Sequence, residues 1–261
     1  MENGKESVKR RKVSVVIPAR NEEASIGIVL EQLQAVTHPR CVMHELIVVN
    51  NGSNDRTREV ALDSGARVVD EAIPGYGIAC LRGVASVSPD SDILLFLDAD
   101  GSDNPLLWPE LVAPILDHGA ELVVGKGLFP PDTASHPAHA RFGTWLITTL
   151  IRLLFSSPLT DLGPYRAITV PSFQKLRMSD TGCGWTVQMQ IRAVKQDLVS
   201  CEVPVIHERR MFGQSKISGT VRGTIRAATA MFTIIIKEYI GTVFGNSLVN
   251  RQCGRTTKPS R

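Results

Sequence analysis

Short apolar runs alternate with amphipathic stretches along the first half of the chain. The apolar runs are rich in β-branched residues, whereas the stretches between them repeat apolar residues at helical spacing. This pattern predicts an α/β fold in which a parallel sheet is covered by helices. The predicted strands are residues 13–17, 45–49, 66–70, 92–97 and 120–124, and the predicted helices between them are residues 22–35, 55–64, 77–87 and 105–118.

The second half of the chain is less regular. Its apolar spacing predicts helices over residues 142–155, 184–195 and 217–241, a strand over 200–206 and a loop over 130–137. The predicted fold class is therefore a Rossmann-like, mostly parallel sheet flanked by helices, with amphipathic helices towards the C-terminus. We expect one domain over residues 13–241, preceded by a basic tail, residues 1–12, and followed by a poorly ordered tail, residues 242–261.

Composition narrows the class of protein. With 43% hydrophobic and 21% charged residues the chain is globular, and a formal net charge of +3 is too small to argue for a nucleic-acid partner. The five cysteines are scattered and odd in number, which argues against a zinc site and favours reduced thiols. The N-terminus lacks the apolar core of a signal peptide, so we expect the protein in the cytoplasm.

Two apolar segments, residues 142–155 and 225–244, bear on membrane contact. Both contain polar or charged side chains and fall short of the roughly 20 uninterrupted apolar residues that a membrane span requires. They are compatible with buried core helices and equally with helices that lie on a bilayer surface. Both alternatives stay open at this point.

Polar or glycine-rich segments follow four of the predicted strands. They are PARNEE after the first, NNGSNDRT after the second, EAIPGYG after the third and DADGSD after the fourth. In an open parallel sheet, ligands bind outside the carboxyl ends of the strands, so these segments are expected to face one crevice.

Asp98 and Asp100 come directly after the apolar run ILLFL. Carboxylate oxygens are ligands that Mg²⁺ or Mn²⁺ accepts, and such a cation could join the pair to a diphosphate. An Asp-Ala-Asp sequence alone is also typical of a solvated turn. Its place at the end of a buried strand favours the metal site.

A basic segment, HERRMFGQSKISG, contains Arg209, Arg210 and Lys216. Guanidinium and ammonium groups are the side chains that bind phosphate, although a basic helix face would have the same composition. By contrast, the glycines of Gly75-Tyr76-Gly77 lack the spacing of the dinucleotide fingerprint, which disfavours a dehydrogenase.

Seven segments, taken in order, resemble those of family 2 glycosyltransferases of the polyprenyl-phosphate branch, which includes dolichyl-phosphate mannose and glucose synthases. They are VSVVIPARNEE, VVNNGSNDRT, GYGIACLRG, FLDADGSD, TDLGPYRAI, GWTVQMQ and RMFGQSK. The resemblance implies a GT-A fold, a nucleotide-sugar donor of the UDP-glucose or GDP-mannose type, and a bound Mg²⁺ or Mn²⁺. It further implies inverting transfer to a polyprenyl phosphate, or another lipid phosphate, by a peripheral enzyme at the cytoplasmic membrane face.

The resemblance also implies roles for matching residues. Asp98 and Asp100 would hold the metal, and Asp100, Asp161 and Arg210 are the catalytic candidates. Residues implied at the nucleotide sugar are Pro18, Ala19, Arg20, Glu22, Val49, Asn51, Gly75, Gly77, Asp98, Ala99 and Asp100. The candidates for binding the phosphate or acceptor are Arg166, Arg210, Ser215 and Lys216, and the resemblance implies this role for Arg210 and Lys216. For Arg166, simple pairing with Asp161 is the alternative.

Three departures from the family pattern matter. Asn50 and Asn51 stand where relatives carry two aspartates, Lys126 stands near the position of an arginine, and Gln188 stands where a glutamate is expected. A glutamine cannot act as a general base. A phosphomonoester needs none, since its second pKa of about 6 leaves it ionised, so the departure favours a phosphate acceptor.

Three alternatives remain open from sequence. The first is a glycosyltransferase with a water-soluble hydroxyl acceptor, which would need another base such as Asp161. The second is a nucleotidyltransferase, which would be expected to carry a glycine-rich, lysine-bearing loop that PARNEE does not provide. The third is a non-catalytic protein that binds nucleotide sugars. The donor base, the sugar and the oligomeric state are left open as well.

Overall fold

The computed structural model describes residues 10–128, 138–212 and 221–253, with backbone alone at 138–141, 221–222 and 243–253. The strands are β1 (Arg11–Ala19), β2 (Cys41–Asn50), β3 (Arg67–Asp70), β4 (Ile93–Phe96), β5 (Leu122–Leu128), β6 (Arg166–Thr169) and β7 (Ser200–Ile206). The helices are α1 (Ile26–Ala35), α2 (Thr57–Asp63), α3 (Tyr76–Val84), α4 (Trp108–His118), α5 (Ala138–Phe155), α6 (Val170–Leu176), α7 (Trp185–Lys195) and α8 (Val221–Cys253).

The seven strands form one sheet in the order β3-β2-β1-β4-β6-β5-β7. The β1–β2, β1–β4, β2–β3 and β5–β7 pairs are parallel, and β6 runs antiparallel to both of its neighbours, β4 and β5. The predicted fold class, a mostly parallel sheet flanked by helices, is confirmed. Strand β6 and helix α6 are additions that the apolar pattern did not predict.

Alternation along the strands divides the core between the two faces of the sheet. Val15 and Ile17 of β1 pack with α1 and α4, whereas Val16 packs on the opposite face with α3, α6 and α7. Successive side chains of a strand point to opposite faces, and here both faces are covered, which is why the strands are almost continuously apolar.

Helices α5 and α8 form a further apolar cluster with α7. Ile147 and Ile151 of α5 meet Val187 and Ile191 of α7 and Ile234 and Ile235 of α8. Helix α8 continues to Cys253, beyond the predicted end at Gly241, and β1 begins at Arg11, inside the predicted basic tail. Among the described helices, none combines the length and the apolar character that crossing a bilayer would demand. The predicted loop at 130–137 lies outside the described residues.

Candidate active site

The site lies where β2, β1 and β4 end beside one another. The register pairs Ala19 at the end of β1 with Asn50 at the end of β2, and the next amide, Asn51, donates to the Ala19 carbonyl at 2.8 Å. Val16 pairs with Phe96 of β4, so the Asp98–Asp100 segment leaves the sheet at the same edge. The predicted convergence of the segments after the first, second and fourth strands is therefore present.

The two aspartates occupy different surroundings. Burial, together with the carboxylates of Asp100 and Asp103, raises the pKa of Asp98 well above its usual range. One oxygen of Asp100 accepts hydrogen bonds from the backbone N–H and the hydroxyl of Ser102, at 2.9 and 2.6 Å. A bound cation would relieve the repulsion among these carboxylates, so the residues present suit a divalent metal.

Arg210 connects two of the predicted site residues. Its guanidinium Nη2 pairs with Glu22 Oε1, and its Nε lies 3.3 Å from Asp100 Oδ2. Glu22 is itself buried. The sequence predicts a helix from this residue onward, but Glu22 lies in the turn before α1, where its carbonyl accepts from the amides of Ser25 and Ile26. The structure thus brings the candidates from the first strand, the fourth strand and the basic segment together.

The segment that carries Arg210 is fixed by contacts that the sequence did not indicate. Asp103 is buried and lies 3.6 Å from His207 Nδ1, while Glu208 and Met211 donate backbone N–H groups to the carbonyls of Ser102 and Asp100. Burial alone would lower the pKa of His207, but the nearby carboxylates of Asp103, Asp100 and Asp161 raise it. Asp103 also accepts from the Asp98 amide at 3.2 Å, so it supports both sides of the site.

Asn51 ties down the segment 71–75, which we call the donor loop because its last residue, Gly75, is predicted to lie at the nucleotide sugar. Its side-chain amide donates to the carbonyls of Glu71 and Ile73 at 3.1 and 2.7 Å, and its side-chain oxygen accepts from the Gly75 amide at 2.9 Å. An aspartate at this position could not donate either bond. The departure from the family pattern at Asn51 therefore has a structural role.

Gly75 and Gly77 lie at the start of α3, against residues 180–182. A Cβ at either glycine would overlap a backbone carbonyl of this segment, and the Gly77 and Ile78 amides donate to the carbonyls of Gly182 and Thr181. These contacts explain the two glycines through packing. Their predicted contact with the nucleotide stays a prediction.

The remaining nucleotide-side candidates differ in exposure. Arg20 is exposed at the end of β1, where a ligand could reach it. Ala19, Val49 and Ala99 are buried in the apolar clusters, so only their backbone groups face the crevice edge, and Pro18 is half-buried.

Asp161 and Arg166 do not form the ion pair that was the alternative. Asp161 accepts from the backbone amides of Gly127 and Gly163, both at 2.9 Å. Arg166 is fully buried and donates to the carbonyls of Gly163 and Thr186 at 2.6 and 2.9 Å, and its burial lowers the pKa of the guanidinium to about 10. Both residues organise the backbone around β6.

Four further residues singled out from the sequence have different outcomes. Lys126 lies 3.7 Å from Glu202. Gln188 is fully buried in α7, and its side-chain oxygen accepts from the amides of Ser179 and Asp180 at 2.8 Å. Ser215 and Lys216 lie outside the described residues.

Comparison with known proteins identifies the family. The model of glycosyl transferase family 2 matches residues 14–177, which include the segments that follow β1, β2, β3 and β4. The chain belongs to glycosyl transferase family 2. The predicted enzyme class, a glycosyltransferase, is confirmed by this membership, which also disfavours the nucleotidyltransferase alternative.

Two named relatives of this glycosyltransferase differ in how much of their length it matches. An uncharacterized glycosyltransferase of Mycobacterium tuberculosis is 35% identical over 224 residues, covering 85% of this chain and 97% of the relative. A low-salt glycan biosynthesis hexosyltransferase of Haloferax volcanii is 27% identical over 202 residues, covering 76% of this chain and 48% of the relative.

A solved structure shares the fold of the glycosyltransferase. It is glucosyl-3-phosphoglycerate synthase of Mycobacterium tuberculosis in complex with Mn²⁺, UDP-glucose and phosphoglyceric acid, with a TM-score of 0.68 and 26% identity. The match covers 88% of this chain and 80% of that one. The GT-A type of fold and a divalent-cation cofactor, both predicted from sequence, agree with this relative.

Two carboxylates do not complete a metal site by themselves. In the described part of the chain, no group of three or more His, Cys, Asp or Glu side chains is arranged to hold a metal ion. Asp98 and Asp100 could hold the cation together with oxygens of a bound diphosphate, which is how Mg²⁺ is commonly bound beside nucleotides.

Proposed function

We propose that this enzyme transfers a hexose from a UDP-hexose to a phosphate-bearing acceptor, with Mn²⁺ or Mg²⁺ held at Asp98 and Asp100. The observation that carries the proposal is the joining of Asp100 and Glu22 by Arg210 at the shared ends of β1 and β4. This arrangement combines carboxylates for a metal with a guanidinium for phosphate in one small volume.

The charges suit departure of a nucleoside diphosphate. When the bond from the sugar to the diphosphate breaks, negative charge grows on the leaving oxygens. Arg210 is fixed by its pairing with Glu22 and by the backbone bonds of residues 207–211, so it can oppose this charge with little reorganisation. A bound cation would supply Lewis-acid stabilisation of the same group.

The acceptor proposal rests on the absence of a base at Gln188. This side chain is buried and its oxygen is held by two backbone amides, so it neither ionises nor faces the crevice. A phosphate acceptor arrives with an ionised oxygen and does not require proton removal. The same argument makes a hydroxyl acceptor less suitable, since both oxygens of Asp161 accept backbone hydrogen bonds.

A polyprenyl phosphate, presented at the cytoplasmic face of a membrane, is the acceptor we propose. Large apolar side chains are exposed along α5 and α8, including Trp145 at 59%, Leu153 at 76% and Ile236 at 57%. Arg152, Arg226 and Lys237 are exposed on the same helices, and their one acidic residue, Glu238, is buried. An apolar face with basic residues is suited to an anionic bilayer surface.

A soluble phosphate-bearing acid is the second candidate acceptor. It is favoured by the similarity to glucosyl-3-phosphoglycerate synthase, whose solved complex contains phosphoglyceric acid. Both candidates carry an ionised phosphate. In the lipid the phosphate oxygen itself would accept the sugar, whereas in the soluble acid a hydroxyl oxygen would accept it and would need a base.

Product analysis separates them. The purified enzyme is incubated with radiolabelled UDP-glucose and Mn²⁺, once with polyprenyl phosphate in detergent and once with 3-phosphoglycerate. We expect label in the organic phase with the lipid, and none after removal of the metal with EDTA. Label only in a water-soluble glucoside would contradict the lipid acceptor, and release of neither product from any UDP-hexose would contradict the proposed reaction.

A further inference from the structure

A buried polar network joins α7 to α8. Glu238 of α8 is only 6% exposed, and its carboxylate lies 2.7 Å from Arg192 Nε and 2.9 Å from Lys195 Nζ. Burial alone would raise the pKa of Glu238, but the hydrogen bonds and charges of these two cations lower it. The pairing fixes the position of α8 on α7 because an unpaired buried carboxylate is costly.

Gln188 connects this network to the turn at residues 179–182. Its amide nitrogen lies 3.5 Å from Glu238 Oε1 and donates to the Ser179 hydroxyl at 3.2 Å, while its oxygen accepts from the Ser179 and Asp180 amides. The Asp180 carboxylate accepts in turn from the Gly182 amide at 3.0 Å. Every polar atom of the Gln188 side chain thus has a partner, and two of those bonds require an amide donor.

The turn at residues 179–182 closes the first turn of α3. The carbonyls of Gly182 and Thr181 accept from the Gly77 and Ile78 amides at 3.1 and 3.0 Å, which satisfies N–H groups that lack helical partners. The adjacent Gly75 amide donates to Asn51, whose side chain holds the donor loop. A continuous set of hydrogen bonds therefore runs from α8 to the donor loop.

We propose that Gln188 and Glu238 are positioning residues for the nucleotide donor. By holding the turn at residues 179–182 against α3, they set the shape of the donor loop, and docking of α8 is thereby coupled to donor binding. The inference rests on the proposed nucleotide donor. Neither residue touches the reacting atoms. Their effect is expected in the affinity for UDP rather than in the chemical step.

The key variant is Gln188→Glu. A carboxylate can keep the two backbone bonds, but it cannot donate to Ser179, and it places a second negative charge beside Glu238. The double variant Gln188→Glu with Glu238→Gln again places one amide beside one carboxylate, with the carboxylate now at position 188 and the amide at position 238. The matched control is Gln196→Glu, the same chemical change at an exposed position just after α7.

Two measurements are made on each full-length protein: the Kd for UDP with Mn²⁺, and amide hydrogen exchange of the ligand-free protein over residues 71–78. We expect Gln188→Glu to raise the Kd about tenfold, the equivalent of about 1.4 kcal/mol, and to speed exchange over this segment. The double variant should return both towards wild type, and the control should change neither.

The outcomes separate the inference from the proposed function. Wild-type protein that binds no UDP would overturn the proposed donor, and the exchange data would still decide whether α8 and the donor loop are coupled. An unchanged exchange rate over residues 71–78 in Gln188→Glu would overturn that coupling. Faster exchange with an unchanged Kd would overturn the positioning role, and so would failure of the double variant to recover either quantity.

Discussion

Asn51 stands where relatives carry an aspartate, and its neutral amide side chain holds the backbone of the candidate site. Its three hydrogen bonds all go to backbone groups of the donor loop, where two carbonyl oxygens need a donor. The family pattern of acidic residues at this position therefore does not transfer to this chain. The neighbouring Asn50 donates to Asp70 at 2.8 Å and is likewise used within the protein.

Replacing Asn51 with Asp should loosen the donor loop. The carboxylate would face the carbonyl oxygens of Glu71 and Ile73 without a proton to share, at a cost of about 1–3 kcal/mol. We expect a lower unfolding midpoint and weaker UDP binding, measured by differential scanning calorimetry and titration calorimetry. Asn54→Asp, at an exposed position nearby, is the control and should change neither. Wild-type stability in Asn51→Asp would contradict the assigned role.

His207 should make stability depend on pH near neutrality. Its pKa is raised above 6.5 in the folded state, so its pairing with Asp103 stabilises fully below pH 6.5 and is lost as pH rises through the folded pKa. The stability difference between wild type and His207→Gln in metal-free protein should therefore shrink on the alkaline side, as followed by urea unfolding. A difference that stays constant from acid to alkaline pH would show that His207 is not charged in the folded protein.

Some site residues could be predicted individually and others only from the fold. Asp98, Asp100, Glu22 and Arg210 stand in segments with distinctive composition, and the structure brings them together. Asp103 and His207 stand in the same segments, but their pairing depends on the approach of two distant parts of the chain. No local pattern reports such an approach.

At the scale of elements, close contact between α3 and the turn at residues 179–182 determines which residues are tolerated. Helical Gly77 has no room for a side chain, because a Cβ would overlap the Asp180 carbonyl oxygen. Helical Gly143 in α5 has nothing within 4 Å of the same position. Gly143 is therefore a matched control for a substitution at Gly77, since both are helical glycines and only Gly77 lacks space for a Cβ.

Ala substitution should act in opposite directions at these glycines. Gly77→Ala should destabilise by about 1–3 kcal/mol through overpacking and weaken UDP binding. Gly143→Ala should stabilise by about 0.5–1 kcal/mol, since alanine loses less backbone entropy in a helix. Chemical denaturation of both variants measures these changes. Equal effects of the two substitutions would contradict the contact between α3 and residues 179–182.

The strands that can be predicted from sequence are those whose own residues form an apolar run beside an amphipathic helix. Each of the predicted strands at 13–17, 45–49 and 92–97 is an apolar run next to an amphipathic helix, and β1, β2 and β4 occur there. Strand β6 has four residues, follows Gly163-Pro164, and is specified by pairing with β4 and β5. Such pairing is long-range, so the apolar pattern could not reveal it or its antiparallel direction.

At the scale of the whole molecule, the exposed apolar side chains of α5 and α8 form the surface that we relate to membrane contact. If this surface contacts a membrane, the double variant Trp145→Glu with Leu153→Glu should lose vesicle binding. The measurement is co-sedimentation with vesicles of phosphatidylcholine and phosphatidylglycerol, at low and high salt. We expect vesicle binding to weaken about tenfold or more, because burial of each side chain in the bilayer contributes about 1.5–3 kcal/mol.

Leu62→Glu is the control for this surface. Leu62 is 44% exposed on α2, which packs on α1, β2 and β3, away from α5 and α8, and its replacement should leave vesicle binding unchanged. Equal losses in the control and the double variant would contradict a specific surface. Absence of vesicle binding by the wild-type protein would favour the soluble phosphate-bearing acceptor.

The central claim is that Asp100 and a divalent cation form the donor site together. Titration calorimetry of UDP, with and without Mn²⁺, tests it most directly in the wild type and in Asp100→Asn. The account predicts Mn²⁺-dependent binding by the wild type and a loss of about 100-fold or more in the variant, whose fold is checked by its unfolding midpoint. UDP binding that is equally tight without the metal, or unchanged in Asp100→Asn, would contradict the account.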